Sequence, residues 1–423
     1  MWCIRWSLNS VTKSFALFLA GAAIVSSQCL AQDRPLDFTG FVQGHTAVRA
    51  VSPDCSPGTE CEVLAGELRA EIKVDKTSSS GRFGFAGRAD MIRDLTFGAT
   101  VGQVRELYGD ITFKKASIRI GRQIVTWGVG DLLFINDTFP KNFNAFFTGE
   151  PVEYLKDGSD AIKINIYPGN WSIEMIAAHF GCDTTPEARR FVLPSFPANE
   201  SIEFQHPDGY GSDIELSARL SRTIGRWETA AYASRTHYHS PDFLPDKNSV
   251  VAVYPRLNAY GFSLTGPLAK GVLNLESGYY DSAQNRNGKN PFLENSQVRI
   301  LIGHNRQIWK DGNFGVQFYG ERIQNYDNYQ TGLPAGFPLR PRFRQVVTTR
   351  FTQQLRNQTL TFSVFSFWGL SEHDRYLIPS VRYAFTDALW GEFGANIFAG
   401  DRRGIFGFLD DNKNTYLTIR YNF

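Results

Sequence analysis

The sequence predicts an all-β protein that folds as a closed antiparallel transmembrane β-barrel of about 18 strands, within a range of roughly 16 to 18. Three observations lead to this prediction. The composition favours strands, with 14% aromatic residues, 38 glycines and only 3 methionines among 423 residues. Many segments alternate between apolar and polar residues, which is typical of strands whose two faces meet different surroundings. The connections between these segments also alternate between short and long.

The N-terminal residues 1–31 have the features of a cleaved signal peptide. Arg5 and Lys13 supply positive charge, residues 14–25 are apolar, and Cys29-Leu30-Ala31 is a cleavage motif. We expect residues 32–423 to form a single barrel domain. Basic residues exceed acidic ones by two, 44 against 42, and the signal peptide carries two basic residues. The mature chain is therefore expected to be neutral, which argues against nucleic acid as a partner.

Three of the five cysteines remain in the mature chain. Cys55 and Cys61 lie six residues apart, and in an exported protein this spacing predicts a small loop closed by a disulfide. Cys182 is expected to be unpaired or to belong to a different pairing.

Segment 63–74 shows the two-faced pattern most clearly. Its apolar face comprises Leu64, Leu68, Ala70, Ile72 and Val74, and its charged face comprises Glu67, Arg69, Glu71 and Lys73. Four successive charged positions do not suit a soluble core, but they suit a strand with lipid on one side and water on the other. A secreted propeller or sandwich is the competing fold, and the sequence has no fixed repeat period to support it.

The last nine residues, 415–423, alternate strictly and end on Phe423. We predict that this strand closes the barrel against the first one, since a bare apolar edge would otherwise be left. Such an ending resembles that of bacterial outer-membrane barrels. The resemblance implies that Phe423 is a signal for the barrel assembly machinery, and that outer-membrane lipid and lipopolysaccharide surround a protein located in a Gram-negative outer membrane.

Eight short connections alternate with nine longer ones. Outer-membrane barrels have short periplasmic turns and longer extracellular loops, so this alternation predicts the same arrangement here. Residues 126–160 form the longest clean insertion and the third long connection. In general porins the third outward loop folds into the lumen. We therefore expect residues 126–160 to fold inward and constrict the barrel.

Within this region the chain resembles a porin-like family of bacterial outer-membrane proteins. The resemblance rests on Gly121-Arg122-Gln123, Trp127-Gly128, Asp131 and the segment from Asn136 to Pro140. The Gly-Arg-Gln strand end is also similar to alginate-export barrels. The resemblance covers about forty residues plus the C-terminal strand, so it implies a barrel and says little about the solute.

The candidate pore and constriction residues are Arg119, Arg122, Gln123, Asp131, Asp137, Phe139 and Phe143. Strict alternation points Arg122 toward lipid, so we expect either a bulge at Gly121 or a position at the membrane rim. We favour the hypothesis that Arg122 anchors the loop through Asp131 or Asp137, over a solvated arginine at the rim. The loop aromatics are expected to pack against the wall, with an apolar path for a lipid-like solute as the alternative.

The candidate lumen wall contains charges of both signs. Its predicted members are Glu67, Arg69, Arg88, Arg219, Arg350 and Arg382. The arginines could favour anions as a basic ladder, or neighbouring carboxylates could neutralise them within the wall.

The sequence contains no recognisable catalytic, cofactor or haem motif, and we predict neither an enzyme nor a cofactor. His237 and His239 share a strand face and could bind a metal, but no third ligand is evident and exposed rim histidines are favoured. We expect a porin or channel for small solutes, either monomeric or homotrimeric. The alternatives are a barrel that exports a polysaccharide or hydrophobic compound, a barrel hydrolase, and a sheath around a partner protein.

Overall fold

The computed structural model describes residues 36–50, 62–193, 201–207, 211, 213–246 and 249–423. The predicted signal peptide, residues 1–31, lies outside this part of the chain. Cys182 is disulfide-bonded. Cys55 and Cys61 lie outside the described residues, and so does their predicted pairing.

Eighteen antiparallel strands form one sheet that closes on itself. A separate sheet of three short strands, β8, β11 and β12, lies among the long loops. The barrel strands are β1 (Asp37–Arg49), β2 (Val63–Thr77), β3 (Phe83–Asp94), β4 (Thr100–Thr112), β5 (Ala116–Gln123), β6 (Ser159–Ile166), β7 (Trp171–His179), β9 (Ile214–Ile224), β10 (Trp227–His237), β13 (Arg256–Leu268), β14 (Gly271–Ser282), β15 (Gln297–Trp309), β16 (Gly312–Ile323), β17 (Phe343–Leu355), β18 (Leu360–Gly369), β19 (Asp374–Ala384), β20 (Leu389–Gly400) and β21 (Asn414–Asn422). The strands of the small sheet are β8 (Ser201–Gln205), β11 (Asp242–Pro245) and β12 (Ser249–Val253). The predicted all-β barrel and its strand number are thus confirmed.

The barrel closes where β1 meets β21. The register runs from Phe41 opposite Asn422 to Arg49 opposite Asn414. Phe423 extends the ladder, because its backbone exchanges two hydrogen bonds with Gly40, at 3.0 and 2.9 Å. The last strand therefore leaves no free edge, as the alternating pattern at the C-terminus predicts.

The two faces of the strands separate apolar from charged residues. Leu68 and Ile72 are 53% and 55% exposed on the outside, whereas Arg69 and Glu71 are 6% and 4% exposed. A lysine or arginine facing lipid at mid-membrane costs about 2–4 kcal/mol. An apolar outer belt and a charged interior are therefore the arrangement that suits a bilayer.

Leu64 departs from this pattern. The alternation predicts that it faces outward with Leu68, but it is fully buried in an apolar cluster inside the barrel. The cause is a β-bulge, since Ala47 pairs with Ala65 while Val48 pairs with Val63. Leu64 is the extra residue, and the bulge turns its side chain inward.

The two ends of the barrel differ in the length of their connections. All eight predicted short turns join strands at one end, which we call the short-turn end. The long loops lie at the other end, the long-loop end, and carry the small sheet and two short helices, α1 (Phe143–Thr148) and α2 (Tyr326–Gly332). None of the helices in the described parts of the chain has the length and hydropathy needed to span a bilayer.

Candidate functional site in the barrel lumen

Residues 124–158, which we call the inward loop, run through the interior of the barrel. The loop leaves β5 and returns in β6, and these strands pair directly with each other. Between these two points it contacts Glu276 on β14, Arg350 on β17 and Asn396 on β20. These strands belong to the far wall, so the loop crosses the lumen and is attached on several sides.

The first part of the loop packs on the wall formed by β6, β7 and β10. Trp127 is buried, and its ring lies 5.1 Å edge-on from Phe139 and 5.7 Å from Tyr232. The Trp127 indole N–H donates a hydrogen bond to the Glu174 carboxylate. Aromatic burial of this kind contributes on the order of 2 kcal/mol per side chain, so this cluster holds the start of the loop to the wall.

Glu276 accepts four hydrogen bonds from the loop. They come from the backbone N–H groups of Val129 at 2.9 Å, Gly130 at 3.1 Å and Asn136 at 2.7 Å, and from the Asn136 amide at 3.0 Å. A buried carboxylate and three N–H groups of irregular backbone therefore satisfy one another. Without this contact, both sides would be left as buried unsatisfied polar groups.

Two glycines make room for the loop where it lies on the wall. Gly261 and Gly278 are directly opposite each other on β13 and β14. A Cβ atom at Gly261 would overlap the Asn136 side chain, and one at Gly278 would lie 2.6 Å from Ile135. The absence of side chains at this pair lets the backbone of the loop approach the wall closely.

Asp131 connects the loop to β16 and β17. Its carboxylate accepts hydrogen bonds from Arg350 Nε at 2.5 Å and Nη2 at 2.8 Å. Its backbone N–H and C=O pair with the Gln317 amide at 2.7 and 2.9 Å. A fork-shaped arginine contact fixes orientation as well as distance, so this residue sets where the loop lies across the lumen.

Helix α1 packs its apolar face on β18–β20. Asn142 caps the helix by accepting a hydrogen bond from Ala145 N at 2.9 Å, and Gly149 ends it in the left-handed conformation with φ of 78°. Phe147 is buried with its ring 5.9 Å from Tyr376 and 5.6 Å from Phe398. The helix therefore fills this side of the lumen with a dry aromatic cluster.

The return arm of the loop meets the charged wall of β2, β3 and β21. Glu150 bonds Arg69 at 2.6 Å, and Glu153 bonds Arg88 at 2.9 Å and Arg420 at 2.6 Å. Burial raises the pKa of the Glu153 carboxyl, but the two arginines outweigh this effect and its pKa is lowered overall. Glu153 therefore stays ionised, and Glu150 and Glu153 together attach the arm to three strands.

Tyr154 lies between two arginines on this arm. The guanidinium carbons of Arg69 and Arg105 are 3.9 and 4.3 Å from its ring centre. Burial raises the pKa of the Tyr154 hydroxyl, so the neutral phenol is retained. Stacking of this kind adds cation–π stabilisation to the ion pairs nearby.

Asp137 is paired within the inward loop itself. Its carboxylate bonds Lys141 Nζ at 2.9 Å and Lys156 Nζ at 2.5 Å. Asp137 and Lys141 are both 4% exposed. The hypothesis that Asp137 binds Arg122 is therefore wrong, because two lysines already occupy its oxygens.

Arg122 does not anchor the inward loop through Asp131 or Asp137. It forms a two-point contact with Asp160 on β6, at 2.9 and 3.0 Å. The register of β5 is regular through Gly121, so no bulge turns Arg122 inward and it stays on the outer face beside the start of the loop. Its position at the end of the strand and its carboxylate partner make a charge tolerable there.

The other constriction candidates occupy different places. Gln123 is fully buried and donates to Ala161 O at 3.1 Å, which ties the start of the loop to β6. Arg119 binds Asp110 on the neighbouring strand at 2.8 and 2.9 Å, away from the loop. Phe139 is buried and Phe143 is partly buried against Phe147, so neither presents an open apolar surface.

The lumen-wall arginines are mostly paired. Arg69 binds Asp90 and Glu67, Arg88 binds Glu71, and Arg219 binds Glu228, while Arg350 binds Asp131. Arg382 instead lies 3.7 Å above the Trp390 ring. This arrangement favours neutralisation within the wall over an unpaired basic ladder.

His237 and His239 are not exposed rim histidines. They are 6% and 8% exposed and share the Glu215 carboxylate, at 3.2 and 3.4 Å. Burial lowers the pKa of His239, but the charge of Glu215 outweighs it and the pKa is raised overall. Within the described residues, no group of three or more His, Cys, Asp or Glu side chains is arranged to hold a metal ion.

Three residues that contact the inward loop could not be identified from the sequence. Glu276 and Gln317 alternate inward like many polar wall residues, and nothing in the pattern distinguishes them as loop anchors. Arg105 faces inward because of a bulge, since Arg88 pairs with Glu106 while Ala89 pairs with Val104. The Arg105 guanidinium donates a hydrogen bond to the backbone carbonyl of Glu153 at 2.7 Å.

An open cavity of about 420 Å³ lies beside the contact between Asp131 and Arg350. Its lining includes Val272, Asn305, Asn313 and Thr352, close to the short-turn end. The cavity is partly bounded by the inward loop and is large enough for several water molecules.

Comparison with known proteins supports the fold. No protein-family model matches the chain. No curated protein matches it either. Among solved structures, it is similar to OccAB4 of Acinetobacter baumannii, with 9% identity, 93% of this chain and 99% of that chain covered, and a TM-score of 0.55. It is similar to OccK8 (OprE) of Pseudomonas aeruginosa, with 9% identity, 92% and 98% covered, and a TM-score of 0.56. OccD3 (OpdP) of the same organism matches with 9% identity, 92% and 91% covered, and a TM-score of 0.54. At these identities the similarity establishes a common barrel fold.

Proposed function

We propose that this protein is an outer-membrane channel for small water-soluble molecules, in which the inward loop narrows the lumen. The observation that carries the proposal is the attachment of this loop to Glu276, Arg350 and Arg69, which lie on separate parts of the wall. A segment held at three such points reduces the open cross-section permanently, and it needs no closing motion to do so.

The chemistry of the lumen indicates which solutes would pass. Phe139 and Phe147 are buried in clusters and cannot line an apolar path. The Asp131 carboxylate and the Arg350 guanidinium are partly exposed and border an open cavity, so a hydrated solute would meet charged groups there. These features support small polar solutes over a hydrophobic compound or a long polysaccharide.

The pairing of charges bears on ion selectivity. Since most wall arginines have a carboxylate partner, the channel should discriminate weakly between anions and cations. Among the described residues, Arg382 has no carboxylate and Glu276 has no basic side chain within salt-bridge distance, so charges of both signs remain without an opposite partner.

The proposed location follows from the outer surface. The apolar belt requires a bilayer, and a predicted signal peptide would deliver the chain across the inner membrane. The short-turn end would then face the periplasm and the long-loop end the exterior. Recognition of Phe423 by the assembly machinery is part of the same proposal.

Single-channel recording tests the proposed function. The purified full-length chain should produce discrete current steps in a planar bilayer, with a reversal potential near zero under a salt gradient. Polyethylene glycols of increasing size, added as non-electrolytes, should report the limiting diameter. A folded barrel that inserts into the bilayer and gives no steps would contradict a channel function.

A further inference from the structure

A basic patch lies on the outer face of the barrel, at the long-loop end of β10, β13 and β14. Arg235 is near the end of β10, Arg256 begins β13, and Arg286 follows β14; all three are exposed. We call these three arginines, with Asn258 and Asp281, the outer patch. Its cross-strand register places Arg235 opposite Asn258, and Asn258 opposite Asp281.

The side chains of the outer patch point away from the lumen. Leu257 and Ser282, which alternate with them, pair with each other and are buried inside the barrel. Adjacent strands are about 4.8 Å apart, so the patch spans roughly 10 Å along the barrel surface. That width matches the head group of one large lipid more closely than a protein interface.

The charge of the outer patch is not balanced within the protein. Asp281 accepts two hydrogen bonds from Arg286, at 2.6 and 2.7 Å, and a third from Asn258 at 2.9 Å. Neither Arg235 nor Arg256 has a carboxylate within 4.0 Å in the described part of the chain. Two guanidinium groups are therefore available at a position that borders lipid.

An aromatic pair lies directly below the outer patch. Tyr260 and Tyr279 face each other across β13 and β14, are 53% and 44% exposed, and point outward. Tyrosines with this position mark the boundary between acyl chains and head groups. The arginines above them are therefore at the level of the head groups.

We infer that the outer patch binds a phosphorylated glycolipid of the lipid A type in the outer leaflet. Arg235 and Arg256 would donate paired hydrogen bonds to phosphate oxygens, and Asn258, which lies opposite Arg235, would border the sugar of the same head group. Guanidinium is suited to this role because its planar fork matches two phosphate oxygens. The inference relies on the proposed outer-membrane location, with the long-loop end outside, and is independent of conduction.

Binding of purified diphosphorylated lipid A to the full-length protein in detergent tests this inference. The variant Arg235→Gln/Arg256→Gln should raise the apparent Kd by about tenfold or more, since it removes two charge-assisted contacts. Lipid A whose phosphates have been removed should bind the unmodified protein about as weakly. Arg235→Lys/Arg256→Lys should recover part of the affinity.

The control is Arg222→Gln/Arg306→Gln, which removes two outward arginines near the short-turn end. It should leave the Kd within about twofold, because those residues border the opposite leaflet. Equal affinity of the patch variant and the unmodified protein would overturn the inference. It would also be overturned if phosphatidylglycerol micelles bound as tightly as lipid A. The patch variant should keep the unmodified protein's single-channel steps, so a failure here is distinct from a failure of the channel proposal.

Discussion

Asp131 of the inward loop and Arg350 of β17 are joined by two hydrogen bonds, at 2.5 and 2.8 Å, across the barrel lumen. The two residues are 219 positions apart in the chain. A long-range contact of this kind fixes an irregular segment inside a wide barrel.

Asp131→Asn should loosen the middle of the inward loop. Both side chains of the pair are about a third exposed, 34% and 38%, so the loss in stability should be no more than about 1 kcal/mol. The larger effect should be on the current, with more noise in the open state. Single-channel recording measures this, with Glu228→Gln as the control because Glu228 pairs with Arg219 away from the loop. Identical noise in both variants would contradict the role of Asp131.

Glu276→Ala should destabilise the protein more strongly. It leaves the N–H groups of Val129, Gly130 and Asn136 without an acceptor, and each buried unsatisfied group costs about 1–3 kcal/mol. We expect a loss of about 3 kcal/mol or more, seen as a lower thermal midpoint in detergent. Glu276→Gln retains one acceptor oxygen, so its thermal midpoint should lie between those of Glu276→Ala and the unmodified protein. A midpoint equal to that of Glu228→Ala would show that the four contacts contribute nothing.

Gly261→Ala should displace the inward loop from the wall. A Cβ at this position would overlap the Asn136 side chain, whereas a Cβ at Gly102 would meet nothing within 4 Å. Gly102→Ala is therefore a matched control within a strand. In the Gly261→Ala variant, limited proteolysis should cleave the inward loop faster than in the unmodified protein. The barrel itself should remain unchanged. Equal cleavage rates in the two variants would show that the loop does not need close contact with β13.

The small sheet outside the barrel should be sensitive to pH. Burial first, and then the charge of Glu294, raise the pKa of Asp242 to about 7. The folded protein therefore holds a proton that the unfolded chain releases near pH 4, so stability should fall as the pH rises from about 4 to about 7. Asp242→Asn keeps the hydrogen bond from Glu294 N and should remove this decline. Thermal midpoints measured from pH 4.5 to 8 check this predicted decline in stability. Asp387→Asn, in an exposed turn, is the control. Parallel profiles for Asp242→Asn and the unmodified protein would contradict it.

Much of the fold follows from local patterns in the sequence. Two-residue alternation marks strands that face lipid on one side and water on the other, and turn residues mark where these strands end. The strand number and the closing strand at Phe423 can therefore be predicted. Bulges are harder to predict because a single extra residue reverses a face, which is why Leu64 and Arg105 depart from strict alternation.

The contacts of the inward loop could not be predicted in the same way. The Gly-Arg-Gln segment draws attention to Arg122, but the partner of Arg122 is its cross-strand neighbour Asp160. The anchors Glu276 and Gln317 are more than a hundred residues from the loop in sequence. They reach the loop only because the barrel closes, and the periodicity of the sequence does not show which wall residues then lie beside the loop.

The conductance of a loop-deletion variant shows whether the inward loop narrows the channel. Residues 134–150 include α1, Asp137 and Glu150, and replacing them with a short Gly-Ser linker removes the segment that crosses the lumen. The single-channel conductance should rise several-fold, while deletion of exposed residues 334–338 in another long loop should leave it unchanged. An unchanged conductance in a correctly folded 134–150 deletion would contradict the account of a loop that narrows the channel.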